Sequence, residues 1–352
     1  MDKKYLKWVG ILILVIIFAY VVRSSFLNTI VTFDKFPLVE KWYIKLNENI
    51  QQISISDNKI VLVRTASGIN ALDIKSGQIL WHHDTGWRAG NETVLAKNGI
   101  VFFTDNKWVW ALNQYDGAVL WQQRLHSESA KVVDVSKDVI AVFDWQQLFI
   151  FKATDGTLLL RKAVCRNSNL AYIKDARLYF PCFGMTTVDI SSGKTIWETK
   201  DDRADTAIAY VDDVMYSSPS EGIFTAYDLE NRIQIWRKNL PSDRVHELVV
   251  SGEFLFITDG KQLCVLKRRD GSTKWCDRGT MNPQNPVKIG DIVFIFNGPQ
   301  NEVTAFDISS GVHLGQLRIT NFNLFTVFRQ LMVSSDELLI FGSGKEIFAF
   351  GK

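Results

Sequence analysis

Four cysteines, five histidines and a series of regularly spaced aspartates are the chemically capable residues of this 352-residue chain. The histidines are scattered and no Cys-x-x-Cys occurs, so no spacing here offers a metal-ligand set. Cys264 and Cys276 flank the Asp270-Gly271 turn almost symmetrically, which makes them cross-strand neighbours in a hairpin. Facing residues of a non-hydrogen-bonded pair hold their Cβ atoms near disulfide range. Cys165 and Cys182 lie at the junction of two consecutive repeats and are a second candidate bridge; for all four, the alternative is a free thiol acting as apolar filler. Asp105, Asp144 and Asp259 occupy one equivalent position ahead of a strand, where an aspartate closes a turn on its own backbone. No Gly-rich phosphate loop, Ser nucleophile elbow or His-Glu-x-x-His is present. The remaining candidates are basic. Trp87, Arg88, Arg166, Arg203, Arg244 and Arg278 fall in segments that join one repeat to the next. Guanidinium forks on one face would suit carboxylates or phosphates, although Asp201, Asp202, Asp205, Asp243 and Asp277 share those segments.

What must position these residues is a repeat. The phrase Ala71-Leu-Asp73-Ile-Lys-Ser-Gly77-Gln-Ile-Leu-Trp81 recurs at Ala226 to Trp236 and, in part, at Ala305 to Gly311. Its turn position falls at Gly77, Gly117, Gly156, Gly193, Arg232, Gly271 and Gly311, a period of 37 to 40 residues. Branched and aromatic runs punctuated by Asn-Gly and Asp-Gly turns read as strands and hairpins. A period near 40 built from short strands is that of a β-propeller, one four-stranded blade per repeat. The turn glycine supplies a positive φ; where Arg232 takes its place, Asn231 is expected to carry the left-handed conformation. The small residue six places earlier (Ala71, Ala111, Ala226, Ala305) lets blades approach. The tryptophan four places later (Trp81, Trp121, Trp197, Trp236, Trp275) covers the seam to the next blade. Leu160 and Gly315 stand in for it, so the third and seventh seams are expected to be less tightly covered.

The ends of the repeat set the blade count. Glu346 to Lys352 stops where a turn and fourth strand should follow, whereas Val39 to Leu46 reads as a fourth strand without its first three. The N-terminal strand therefore completes the last blade and closes the ring. The fold expected is all-β: an eight-bladed propeller over residues 40–352.

Residues 1–23 read separately. Three lysines precede Trp8 to Val22, an uncharged run closed by Arg23. The run gives about 22 Å of helix, which snorkelling of Lys7 and Arg23 extends towards spanning length. The charge bias places the N-terminus in the cytoplasm. A cleaved signal peptide and a buried helix are the alternatives, but Val22-Arg23-Ser24-Ser25-Phe26 offers no small-x-small cleavage site, which favours a transmembrane signal anchor. Residues 24–39 are then a linker, and the propeller lies outside the cytoplasm, on a single-pass cell-membrane protein. Beyond residue 39 acidic and basic residues nearly cancel, which leaves no field to attract nucleic acid.

The repeat Ala-x-Asp-x-x-Ser-Gly-x-x-x-Trp resembles that of the quinoprotein-type (PQQ-like) propellers, and it covers about nine-tenths of the chain. The resemblance implies one of two branches. Quinone-dependent dehydrogenases carry calcium, an aspartate base and, in many members, adjacent cysteines; this chain has no Cys-Cys pair and lacks their long insertions. The non-catalytic outer-membrane-assembly-lipoprotein-like propellers bind partners without cofactor or metal, and this branch is the closer in style. The expected function is a membrane-anchored, monomeric interaction scaffold, not an enzyme, that binds exported or membrane proteins and peptides. An acidic ligand or glycan held at the propeller mouth is the alternative.

Overall fold

The computed structural model describes residues 30–34, 36–85, 94–105, 107–125, 130–165, 170–182, 185–198, 208–220, 222–240, 245–279, 283–297, 302–320 and 331–352. Among them every regular element is a strand, and no helix is long and apolar enough to cross a membrane. The segment read as an anchor, residues 1–23, lies outside the described residues.

The strands form eight antiparallel sheets. In blade 1 the order is Gln52–Ser56, Ile60–Arg64, Gly68–Asp73, Ile79–Asp84. Blades 2 to 7 repeat it over 95–124, 131–163, 172–198, 208–239, 247–277 and 283–320. Blade 8 takes Met332–Ser334, Leu338–Ser343 and Glu346–Gly351, and its outer strand is Val39–Lys45, paired from Val39↔Gly351 to Lys45↔Glu346. The first strands of neighbouring blades touch around the axis, and Gln52–Ser56 meets Met332–Ser334 to close the ring. Between blades 4 and 5 the contact is a stack of Tyr172 on Tyr210, with centroids 4.8 Å apart and rings within 3° of parallel. Ring closure by the N-terminal strand is as expected from the sequence.

Burial follows position in the blade. The second and third strands are covered on both faces by adjacent blades, so Ile60–Arg64 is buried throughout and Gly68–Asp73 nearly so. Such strands read as continuous apolar runs rather than alternating ones. Outer strands expose most residues and bury chiefly the tryptophan, as Trp81 does in Ile79–Asp84. A register shift just before that position occurs in all eight blades, with Leu80, Leu120 or Leu159 as the extra residue in the first three. The bulge breaks strict alternation. It leaves two consecutive apolar residues outside, such as Ile79 and Leu80, and turns the indole inward.

The indole then lies on the next blade. Trp42, Trp81, Trp121, Trp236 and Trp275 donate Nε1–H to the carbonyls of Ile74, Gln114, Ala153, Arg268 and Ile308 at 2.8–3.1 Å. Each packs its ring against the next blade's turn glycine. A Cβ on Gly117 would fall 2.8 Å from Trp81, besides meeting a φ of +71°. Glycine is therefore required twice, for conformation and for space. At the fourth seam Arg232 itself is left-handed (φ +59°), a correction to the expectation for Asn231. Its guanidinium lies 5.8 Å over the Trp197 ring, so cation–π contact replaces the glycine fit.

The stretch expected to be linker contains a strand. Ile30–Asp34 pairs with His313–Thr320, from Ile30↔Thr320 to Asp34↔Gln316, as a fifth strand of blade 7. Ile-Val-Thr-Phe is a strong strand former, and the outer edge of a blade is an open ladder.

Candidate functional site

The repeat's own aspartates are spent on turns. Asp73, Asp189 and Asp307 each accept from the hydroxyl and backbone N–H of a serine three residues on, at 2.7–2.8 Å. Hydroxyls of Ser191 and Ser309 pull the Asp189 and Asp307 carboxyls down to about 2. Asp228 is likewise held low by Asn231. Among the second set, Asp259 closes its turn as expected, accepting from the N–H groups of Lys261 and Gln262. Asp105 differs. It is buried, burial pushes its carboxyl up, and the positive charge of Arg64 from the preceding blade opposes that push. Arg64 is itself only 2% exposed and donates to the Thr104 carbonyl. Asp73, Asp189, Asp228, Asp307 and Asp259 thus serve turns, while Asp105 and Arg64 meet at the seam between blades 1 and 2.

Both cysteine pairs form disulfides. Cys264 faces Cys276 directly across the hairpin, Cα atoms 4.1 Å apart. Cys165, in the connector leaving blade 3, joins Cys182, at the corner of the second and third strands of blade 4, with Cα atoms 5.3 Å apart. The second bridge crosses the third seam.

Of the six residues read as a possible basic ring, Trp87, Arg88, Arg166, Arg203 and Arg244 lie outside the described residues. Arg278 is described. It is exposed in the connector after blade 6 and makes no hydrogen bond or ion pair among the described residues.

The two seams without tryptophan diverge. At the seventh, Phe36 enters from the N-terminal segment and packs against Phe294 of blade 7 and Phe350 of blade 8, with centroids 5.7 and 5.9 Å away. Leu38 is buried in the same cluster. That seam, expected to be poorly covered, is therefore filled by a residue the repeat does not contain. At the third seam Leu160 takes the indole's place against Gly193, where a Cβ would meet its Cδ1 at 2.9 Å, and Lys162 donates to the Gly193 carbonyl at 3.0 Å.

A groove of about 780 Å³ opens along this third seam, on the face opposite the blade-to-blade connectors. Val139, Leu159 and Ile190 give it an apolar lining, and Lys97, Lys137 and Lys174 line it with charge, together with Asp138 and Asp175. Lys97 donates to the Val135 carbonyl at 3.3 Å. Lys174 is engaged by Asp213 and Asp175, and the Asp213 bond comes first in raising its pKa. Lys137 is exposed and has no polar partner among the described residues. Behind the groove, Asp134 accepts from the N–H groups of Ile173 and Val135, tying blade 4 to blade 3, while burial pushes its carboxyl up. Leu160 marked the seam in the sequence but does not line the groove, whose charged lining comes from turns that carry no repeat signature. A smaller pocket of about 300 Å³ lies between blades 8 and 1, where Glu48 accepts from the Ser67 N–H at 2.9 Å and His82 contacts Asn70 at 3.1 Å.

The family model described as outer membrane protein assembly factor BamB matches residues 20–138, 65–207 and 184–346. The outer membrane protein assembly factor BamB of Yersinia pestis is 22% identical over 319 residues, covering 80% of this chain and 79% of its own length. That of Shewanella oneidensis is 23% identical over 299 residues, covering 83% of this chain and 69% of its own. Among solved structures, BamB from Moraxella catarrhalis superimposes with a TM-score of 0.68 at 16% identity, over 90% of this chain and 98% of that one. The computationally designed protein Ika8 gives 0.73 at 15% identity, over 89% and 99%. Ring, repeat and family match agree, and the chain belongs to the outer membrane protein assembly factor BamB family.

Proposed function

We propose that this chain is a non-catalytic interaction scaffold that binds segments of exported proteins during envelope protein assembly. The observation that carries the reading is the use of the repeat's carboxylates. They are consumed in turns, which leaves the disc's surfaces, rather than a set of poised acids and bases, as what the molecule offers. Relatives named as assembly factors for outer membrane proteins support the same direction. The uncharged run from Trp8 to Val22 supports an inner-face start and a membrane anchor, with the propeller outside the cytoplasm. The attachment would thus be a helix rather than a lipid, and the setting a cell membrane.

The test is a crosslinked pull-down of the full-length protein from its own membranes, with quinone and calcium assayed in the same eluate. A stoichiometric protein partner without cofactor is the expected result. A bound quinone, or no partner, would overturn the reading.

A second reading retains one observation. Arg278 is exposed on the connector face and makes no hydrogen bond or ion pair among the described residues, as an acidic ligand at the mouth of the ring would require. Alanine at Arg166, Arg203, Arg244 and Arg278 together should weaken partner capture while leaving Tm nearly unchanged. Unaltered capture would remove this reading.

A further inference from the structure

We propose that the groove at the third seam is a docking site for an extended peptide segment that alternates acidic and aliphatic side chains. This rests on the scaffold reading above and names where and what it binds. The reasoning starts from the repeat. Five seams are closed by an indole whose N–H meets the carbonyl one residue past the third strand of the next blade. At the third seam that position is Ile190, and the residue in the tryptophan's place is Leu160. The side chain lost is the largest in the repeat; Leu160 packs on Gly193 in its place, and the groove opens alongside, between Leu159 of the outer strand and Ile190. The Cys165–Cys182 bridge on one face and the Asp134 bonds to blade 4 hold the two blades at their spacing without the indole.

The lining sets the chemistry. About 780 Å³ is well within the roughly 300–1,000 Å³ of ligand clefts. Its apolar lining suits aliphatic side chains. The lining lysines exceed the lining aspartates by one, and among the described residues Lys137 is the lining cation without a polar partner. A carboxylate is the partner that satisfies an exposed ammonium. The groove runs from the turns around the axis, at Lys97 and Lys137, to Leu159 on the outer strand of blade 3. That strand ends in an open ladder, and the matching edge of blade 7 already accepts an extended segment, Ile30–Asp34. An extended chain is therefore the occupant the surroundings favour, with aliphatic side chains down and acidic ones towards Lys137.

The experiment uses the purified full-length protein in detergent and a fluorescein-labelled Glu-Leu-Glu-Leu-Glu-Leu peptide, followed by anisotropy. Binding is expected for the wild type and should weaken at least tenfold in Lys137→Glu, a surface change that leaves the fold intact. Leu160→Trp restores the repeat and directs an indole at Ile190 in the groove's wall, so it should lose binding at least tenfold while melting no lower than the wild type. A Lys-Leu peptide of the same length should not bind. No binding by the wild type, equal affinity in both variants, or binding of laurate in place of the peptide would each overturn the inference. The pull-down separates this from the broader reading. A partner captured equally by wild type and Leu160→Trp removes the groove but leaves the scaffold; no partner with wild type removes the scaffold itself.

Discussion

The third and seventh seams start from the same defect and end differently. Each lacks the tryptophan that bridges neighbouring blades, with Leu160 at one and Gly315 at the other. At the seventh, the chain passes nearby on its way into blade 8, and Phe36 enters the gap between Phe294 and Phe350. Ile30–Asp34 then covers the edge of that blade. At the third, no passing segment among the described residues takes up the space, and the blades are held by a disulfide and a buried carboxylate instead. A missing repeat residue is therefore covered by a neighbouring segment at one seam, while at the other a smaller apolar contact, a disulfide and polar bonds join the blades beside an open groove.

The largest effect that would sharpen this contrast is at an intact seam. Trp121→Ala should cost about 4 kcal/mol in denaturant unfolding, against about 2 for Leu160→Ala, because only the first removes a packed indole and its bond to the Ala153 carbonyl. Equal losses would mean that the third seam is as tightly filled as the others. Next comes the bridge. Replacing Cys165 and Cys182 together by serine should lower stability by about 3 kcal/mol under oxidising conditions, from the loop of 17 residues it closes. If the disulfide is what spaces blades 3 and 4, the double variant should also weaken binding of the acidic peptide. Phe36→Ala should cost about 2 kcal/mol, below the range for a fully buried ring because Phe36 is only partly buried. No change in unfolding would break the idea that it replaces the seventh tryptophan.

The smallest effect concerns the turns, which are common to both regions. Asp189 and Asp307 have folded-state values near 2, below the ordinary 3.8. Their contribution is complete above pH 4 and disappears as pH falls through about 2. Asp189→Asn with Asp307→Asn should therefore flatten the acid limb of a Tm–pH profile by about 1 °C, since both groups are exposed and screened. An acid limb of unchanged steepness would show that these turns do not depend on charge.

How far the sequence carries the fold depends on whether information is periodic. The turn glycines, the tryptophans four places on and the cysteines astride Asp270-Gly271 all sit at fixed offsets, so blade count, seam chemistry and one disulfide were legible. The closing strand was legible because Val39 to Leu46 is an incomplete copy. The bulge before each tryptophan was not: one extra residue among branched side chains leaves no mark in composition, and it matters only through pairing. Arg232 escaped because its left-handed backbone is supported by Trp197, which is 35 residues away in sequence. Phe36 escaped because it belongs to no repeat. Of the proposed basic ring, only Arg278 falls where the structure describes it. The groove was half legible, since Leu160 marked the seam but Lys97, Lys137 and Lys174 come from three separate turns that only the ring brings together.

The pairing of Val39–Lys45 with Glu346–Gly351 also fixes an order of events. The outer strand of blade 8 emerges early in synthesis and is the last to find its partner, because about 300 residues intervene and closing so long a loop must wait for the final blade. The two disulfides have no such wait: their partners are 17 and 12 residues apart and are available as soon as blades 4 and 6 exist. Oxidation can thus proceed on an open arc, and loss of the last six or seven residues would leave seven blades and both disulfides in a molecule whose eighth blade cannot close the ring.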